Sequence, residues 1–328
     1  MNIRVGIVGY GNLGKGVQRA LPQHPDMALQ AIFTRRAIDD IDTGTPHVPV
    51  HAVETLPDWR DQLDVLLLCG GSASDLPEQT PRYAALFNVV DSFDNHAQIP
   101  SHRQRVDPVA RAAQRVAIIS AGWDPGLFSL YRLLGEAILP RGETHTFWGE
   151  GISQGHSDAI RRVPGVLDAR QYTIPNDAAL EAARTGDGPP LSPQQRHRRV
   201  CYVVAAAGAN TADIEQRIVT MPGYFAGYET AVHFVSSEEL QRDHSGMPHG
   251  GTVIRFGHTG EPRPVAHRLE HALRAGANPD FTASVLIACA RAAVRLHREG
   301  ISGCRTMLDI PPAYLSPRSI DDLIAALL

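Results

Sequence analysis

The chain has 328 residues, enough for two domains at about 150 residues each, and needs no disulfide or metal staple to bury a core. Hydrophobic residues make up 43% and charged residues 20%, an ordinary globular composition that argues against disorder. With 31 basic against 35 acidic side chains and a net charge of -4, there is no basic excess to hold nucleic acid. All the basic side chains except Lys15 are arginine, so amine or lysine-base chemistry rests on Lys15 or is absent.

The opening MNIRVGIVGYGNLG has no basic leader or small-residue cleavage site, so no signal peptide is expected there. Ile3–Val8 reads as a buried strand, followed by a glycine turn and a helix to about Leu21. Ala28–Phe33 is a second expected strand. Val65–Cys69, Asn88–Val90 and Val116–Ile119 are further ones, with helices near Glu78–Phe87 and His102–Gln114. This alternation predicts a doubly wound parallel α/β sheet. After Ile119 longer, exposed-edged strands are expected at His145–Phe147, Ala169–Ile174, Arg199–Ala206, Glu229–Val235 and Thr252–Phe256. Helices are expected at Asp177–Thr185 and Thr211–Met221. The pattern predicts a second, α+β domain with a mixed sheet and helices on one face. Gly186–Pro193 reads as a surface loop. Asn278-Pro279-Asp280 caps an expected helix Phe281–Glu299, and a last helix is expected at Ser319–Leu328. No apolar stretch reaches the ~20 residues that span a bilayer. Cys69, Cys201, Cys289 and Cys304 form no CxxC pair, so neither a zinc ribbon nor a disulfide scaffold is expected. The expected class is a reduced, cytoplasmic enzyme.

Gly9-Tyr10-Gly11-Asn12-Leu13-Gly14 fits G-x-G-x-x-G directly after a strand and at the start of a helix. That context defines the dinucleotide fingerprint. Gly9 permits the tight turn, Gly11 lets backbone approach a pyrophosphate, and Gly14 lets helix and strand pack closely. Gly9 to Lys15 also begins a P-loop, but position 16 is Gly and has no hydroxyl for Mg²⁺. The second strand ends Thr34-Arg35-Arg36, with guanidinium groups where an NAD site has a carboxylate. That substitution points to a 2′-phosphate, hence NADP.

Three more segments follow expected strands, where open α/β sheets bind ligands. They are Cys69-Gly70-Gly71-Ser72, Asp91-Ser92-Phe93-Asp94-Asn95-His96 and Ala121-Gly122-Trp123-Asp124-Pro125-Gly126. Asp94 and Asp124 there suit a cationic substrate group, although Asp124 before Pro125 also suits a helix N-cap. His267 and His271 have helical i, i+4 spacing but no carboxylate partner, and no metal site is expected.

These motifs, together with HTFWG, SQGHSDAIRRVPGV, YTIP, TMPGYF, GMPHGG and NPDFTAS, resemble the meso-diaminopimelate dehydrogenase family almost end to end. The resemblance implies a Rossmann domain (1–119) joined by the C-terminal segment (281–328), with a substrate-binding and dimerisation domain between them (120–280). It implies a homodimer and reversible, NADP-dependent oxidative deamination of the D-centre of meso-2,6-diaminopimelate, in the lysine pathway. The products are L-2-amino-6-oxopimelate, ammonia and NADPH. By motif, it implies cofactor contacts from Gly9, Tyr10, Gly11, Asn12 and Leu13, and from Thr34, Arg35 and Arg36. Further cofactor contacts would be Cys69, Gly70, Gly71 and Ser72, then Ser92, Phe93 and Asp94, then Ala121, Gly122, Trp123, Asp124 and Pro125. Substrate contacts would come from Asp94, Asp124, Trp148, Gln154 and Gly155 and from Thr173, Arg199, His249 and Asn278. Gly70 departs from the bulkier residue, typically Met, that the family has there. With no free lysine, Asp94 or Asp124 is the candidate base. Alternatives are a broader D-amino-acid dehydrogenase and a non-catalytic NADP-binding sensor.

Overall fold

Six apolar segments of the first third form parallel strands: β1 (Ile3–Val8), β2 (Met27–Thr34), β3 (Val50–Ala52), β4 (Val65–Leu68), β5 (Asn88–Asp91) and β6 (Val116–Ile118). The computed structural model describes residues 2–44, 48–186 and 191–328. Later strands are β7 (Gly142–Trp148), β8 (Gly151–Ile152), β9 (Val166–Pro175), β10 (His197–Ala205), β11 (Glu229–Phe234), β12 (His249–Thr259), β13 (Val265–Ala275) and β14 (Gly303–Arg305).

The first sheet has the order β14-β6-β5-β4-β1-β2-β3 and is parallel throughout. Its central strands are buried on both faces, so their sequences run apolar without alternation. Val17 of helix Asn12–Ala20 and Leu286, Ile287 and Ala290 of helix Asn278–Arg298 share one core cluster with β1 and β4. Leu76, Tyr83, Val106 and Ala110, from helices Leu76–Ala84 and Ile99–Ala112, belong to the other. The strand order reverses between β1 and β4, the switch point where such sheets bind ligands.

Two compact units divide the chain: Met1–Leu130 with Pro279–Leu328, and Tyr131–Asn278. The first therefore runs beyond the expected boundary at 119. The Ala121 N–H donates to Asp91 O (2.8 Å) and Gly126 lies against Met307, which holds the segment after β6 on the sheet. Helix Asn278–Arg298 is fastened by Arg291, 1% exposed, whose guanidinium makes two bonds to Asp26 (2.6 and 2.8 Å) and one to Leu315 O (2.8 Å). The bond from Arg291 holds the Asp26 carboxyl below its ordinary pKa. Asp26→Ala strips a buried guanidinium of its anion and is expected to cost about 3 kcal/mol in urea unfolding; no loss of stability would refute this fastening role.

The second unit holds two sheets rather than a single mixed one. One, β11-β10-β9-β8, is mixed; the other, β13-β12-β7, is antiparallel. Between β7 and β8 the chain turns at Gly149 (φ +113), where a Cβ would lie 2.1 Å from Thr173 O. Each sheet has its own core. Ile160, Ile214 and Ile218 cover the mixed sheet, and Ala179 and Ala183 meet Phe147 and Ile254 of the other. His267 and His271 lie on strand β13, not on a helix. His267 bonds Thr259 (2.7 Å) and His271 stacks on Tyr131 at 4.0 Å. Part of the expected Gly186–Pro193 loop, residues 187–190, lies outside the described residues. Gly186 ends helix Asp177–Thr185 in the left-handed conformation, and Ser192 caps the turn Pro193–Arg196.

Candidate active site

The glycine loop has the shape its sequence predicts. Gly9 has φ +90, and a Cβ at Gly14 would sit 2.3 Å from Gly9 O, so only glycine lets helix and turn close together. At Gly11 a Cβ would meet nothing within 4 Å, which leaves that backbone approachable. Gly11, at the N-cap, has no side chain to cap helix Asn12–Ala20, whose first turn gives the loop a positive helix end. Tyr10 is buried and bonds Gln18, while the Lys15 ammonium stands 5.8 Å from the Tyr10 ring.

At the tip of β2, Thr34 is buried and its hydroxyl accepts from the Arg36 N–H at 3.1 Å. The Arg36 guanidinium donates to Tyr10 O, which ties this tip to the glycine loop. Arg35 donates to Asp75 Oδ1 at 2.8 Å, and Asp75 Oδ2 accepts from the Gly71 N–H at 2.9 Å. Asp75 thus links the arginine pair to the loop after β4, a connection that sequence reasoning missed. In that loop the buried Cys69 thiol is pushed up to about 12 by burial, which keeps it inert. A Cβ on Gly70 would lie 2.8 Å from both Asp75 Cβ and Gln79 Oε1, so a larger residue here requires Asp75 and the Gln79 side chain to move.

Asp94 and Asp124 stand at the carboxyl ends of the neighbouring strands β5 and β6. Asp94 is exposed, and its N–H donates to Ser72 Oγ at 2.9 Å. Asp124 is half-buried in the segment Trp123–Leu127, between buried Trp123 and Pro125. Ser92 is half-buried, and buried Phe93 stacks on His102 at 4.3 Å. Ala121 and Gly122 are buried. Ser120, just before them, has φ +57, a left-handed conformation that costs a non-glycine residue about 1–2 kcal/mol.

The second unit gathers most of its expected residues around β8, β9 and β10. Arg199 and Thr173 are directly paired across β10 and β9, and Arg199 Nη1 donates to Thr173 Oγ1. Arg199 is 8% exposed, and its guanidinium lies 4.3 Å from the Tyr228 ring centroid. Burial lowers its pKa while Tyr228 pushes back; an arginine stays charged throughout. Among the described residues it has no carboxylate partner, and its buried Nε has no hydrogen bond. Tyr228, close under this cation, was missed in the sequence because it belongs to no recognisable motif.

Trp148 stacks on His197 at 5.3 Å, and its N–H donates to His197 Nε2 at 2.9 Å. Burial brings His197 down to about 4, so the ring is neutral and can accept. Gln154 and Gly155 are exposed at the start of helix Gln154–Arg161; Gln154 Nε2 donates to Met247 Sδ at 3.3 Å. His249 opens β12, its Nδ1 accepts from the Gly250 N–H at 2.8 Å, and burial lowers its pKa. The Asn278 N–H donates to Met247 O at 2.8 Å. Among the described residues no group of three or more His, Cys, Asp or Glu is placed to hold a metal ion, and no helix is long and apolar enough to cross a membrane.

The switch-point loop and the crossed-over parallel sheet define a Rossmann-type dehydrogenase fold. Residues 122–276 match the family model described as the diaminopimelic acid dehydrogenase C-terminal domain. The meso-diaminopimelate D-dehydrogenase of Acetivibrio thermocellus is 54% identical over 99% of this chain and 98% of its own. The structure of the C. glutamicum DAP dehydrogenase in complex with DAP superposes with a TM-score of 0.92 at 50% identity, covering 100% of this chain and 99% of that one. An engineered D-amino acid dehydrogenase bound to NADP+ gives 0.88 at 48% identity, with 100% of both chains covered. The chain belongs to the meso-diaminopimelate D-dehydrogenase family.

Proposed function

We propose that this protein is an NADP-dependent oxidoreductase. It would catalyse the reversible oxidative deamination of the D-centre of meso-2,6-diaminopimelate, yielding L-2-amino-6-oxopimelate, ammonia and NADPH. The observation that carries the reading is Arg199, a buried cation with no carboxylate among the described residues. Such a charge is costly unless an anion joins it, and the substrate's distal carboxylate is such an anion. The names of the relatives agree with this.

The glycine loop fits a dinucleotide: Gly11 is open, Gly14 admits no side chain, and the helix starts at a residue with no side chain to cap it. Gly9 to Leu13 would cradle the pyrophosphate, with Thr34, Arg35 and Arg36 on the 2′-phosphate. The remaining cofactor contacts would come from Cys69 to Ser72, Ser92 to Asp94 and Ala121 to Pro125. When bound, the oxidised nicotinamide supplies a hydride acceptor. Asp94 and Asp124 would hold the reacting ammonium; one of them would take its proton and release it to solvent, then take a proton from the attacking water and pass it to the departing ammonia. Gln154 and Gly155 would orient the adjacent carboxylate, with Trp148 packed against the chain. Arg199, Thr173, His249 and Asn278 would hold the distal end. We read residues 131–278 as the substrate-binding and dimerisation domain of a cytoplasmic homodimer, to be checked by light scattering.

The direct test is NADPH absorbance with NADP and meso-, L,L- or D,D-diaminopimelate or D-alanine. Turnover of the meso isomer alone is expected. Turnover of simple D-amino acids would replace this reading with a broader dehydrogenase, and NADP binding without any turnover with a sensor. Changing Arg35 and Arg36 to serine removes two charge-assisted contacts of at least about 1.5 kcal/mol each. The KM for NADP should rise about 100-fold and that for NAD by less than threefold; equal effects would refute the assignment.

A further inference from the structure

We propose that Asp91 is the positioning residue of this site, fixing the loops that carry Asp94 and Asp124 through one buried carboxylate. The inference rests on the proposed roles of those two carboxylates. Asp91 ends β5 and is 0% exposed. Its Oδ1 accepts from the N–H groups of Phe93 (3.0 Å) and Ser120 (2.8 Å). Its Oδ2 accepts from Thr80 Oγ1 (2.7 Å) and His102 Nε2 (2.8 Å). Its backbone oxygen accepts from the Ala121 N–H (2.8 Å). One side therefore holds both loops, just before Asp94 on one strand and Asp124 on the next. The other side is anchored to the helices behind the sheet.

Only a carboxylate accepts on both sides. Asparagine preserves the loop side but turns a donor toward Thr80 and His102. His102 could accept it only by moving its hydrogen to Nδ1, which is buried and has no hydrogen-bond partner. The ring of His102 is also stacked on Phe93, so disturbing its anchor disturbs the residue next to Asp94.

The test uses the holoenzyme. Asp91→Asn is expected to lower kcat on meso-diaminopimelate about 10- to 100-fold, as small misplacements of reacting groups do. Binding of 2′,5′-ADP, which reports the β2 tip, should change less than twofold. His102→Gln, whose amide can donate to the same oxygen, should keep kcat within about fivefold, whereas His102→Ala should lose tenfold or more. A wild-type kcat in Asp91→Asn would overturn the proposal. So would a kcat loss matched by an equal loss of 2′,5′-ADP binding, because that reports general unfolding. If the wild type were inert on this substrate, the functional reading would fail and not the positioning role. Trp123 emission, with Trp59 and Trp148 replaced by Phe, then decides: a red shift in Asp91→Asn supports loop positioning and an unchanged spectrum refutes it.

Discussion

Arg199→Leu is expected to raise the KM for meso-diaminopimelate at least about 100-fold and to leave the protein as stable as before or slightly more so. The functional loss follows from two bonds to a carboxylate, each worth at least about 1.5 kcal/mol, with tenfold in affinity for every 1.4 kcal/mol. The stability gain follows because a buried guanidinium with no anion among the described residues is replaced by an apolar side chain. The opposite signs make the result diagnostic. A structural arginine such as Arg291, with its paired Asp26, should lose stability when it is truncated. Steady-state kinetics with diaminopimelate and a short D-amino acid, together with urea unfolding, checks both halves. An unchanged KM, or a stability loss of several kcal/mol, would remove Arg199 from the substrate site.

Asp124→Asn is expected to lower kcat about 100- to 10,000-fold, the range for loss of a general base. Asp94→Asn should act mainly on the substrate KM. The distinction rests on surroundings: Asp124 is half-buried in a segment held on the sheet, whereas Asp94 is exposed. Near-normal turnover of Asp124→Asn would exclude it as the base.

The parallel sheet was legible because its strands are buried on both faces and carry unbroken apolar runs, and because glycine and proline punctuate the gaps. Helix Asp177–Thr185 has the expected bounds, with Asn176 capping its start and Gly186 ending it in the left-handed conformation. Helices Phe128–Ile138, Gln154–Arg161 and Ser237–His244 were not read from the sequence. Of these, Gln154–Arg161 and Ser237–His244 have eight residues each and depend on neighbouring strands to bury a face. Strand β13 was missed for a different reason. Its side chains are mostly exposed, so no alternation marks it, and His267 and His271 mimic a helical spacing. Their common face on a strand follows equally from an even separation.

The sequence by itself determined the strand, glycine turn and helix at the N-terminus, and the arginines at the tip of β2. These depend on residues a few positions apart and on the absence of a Cβ, which local sterics decide. Only the tertiary structure decided that the second unit splits into two sheets. The same holds for the partners of the site residues: Arg35 with Asp75, Arg199 with Thr173 and Tyr228, and Asp91 with Ser120. Those contacts join residues 26 to 40 positions apart. Whether a buried charge is neutralised or left for a ligand depends on everything around it after folding.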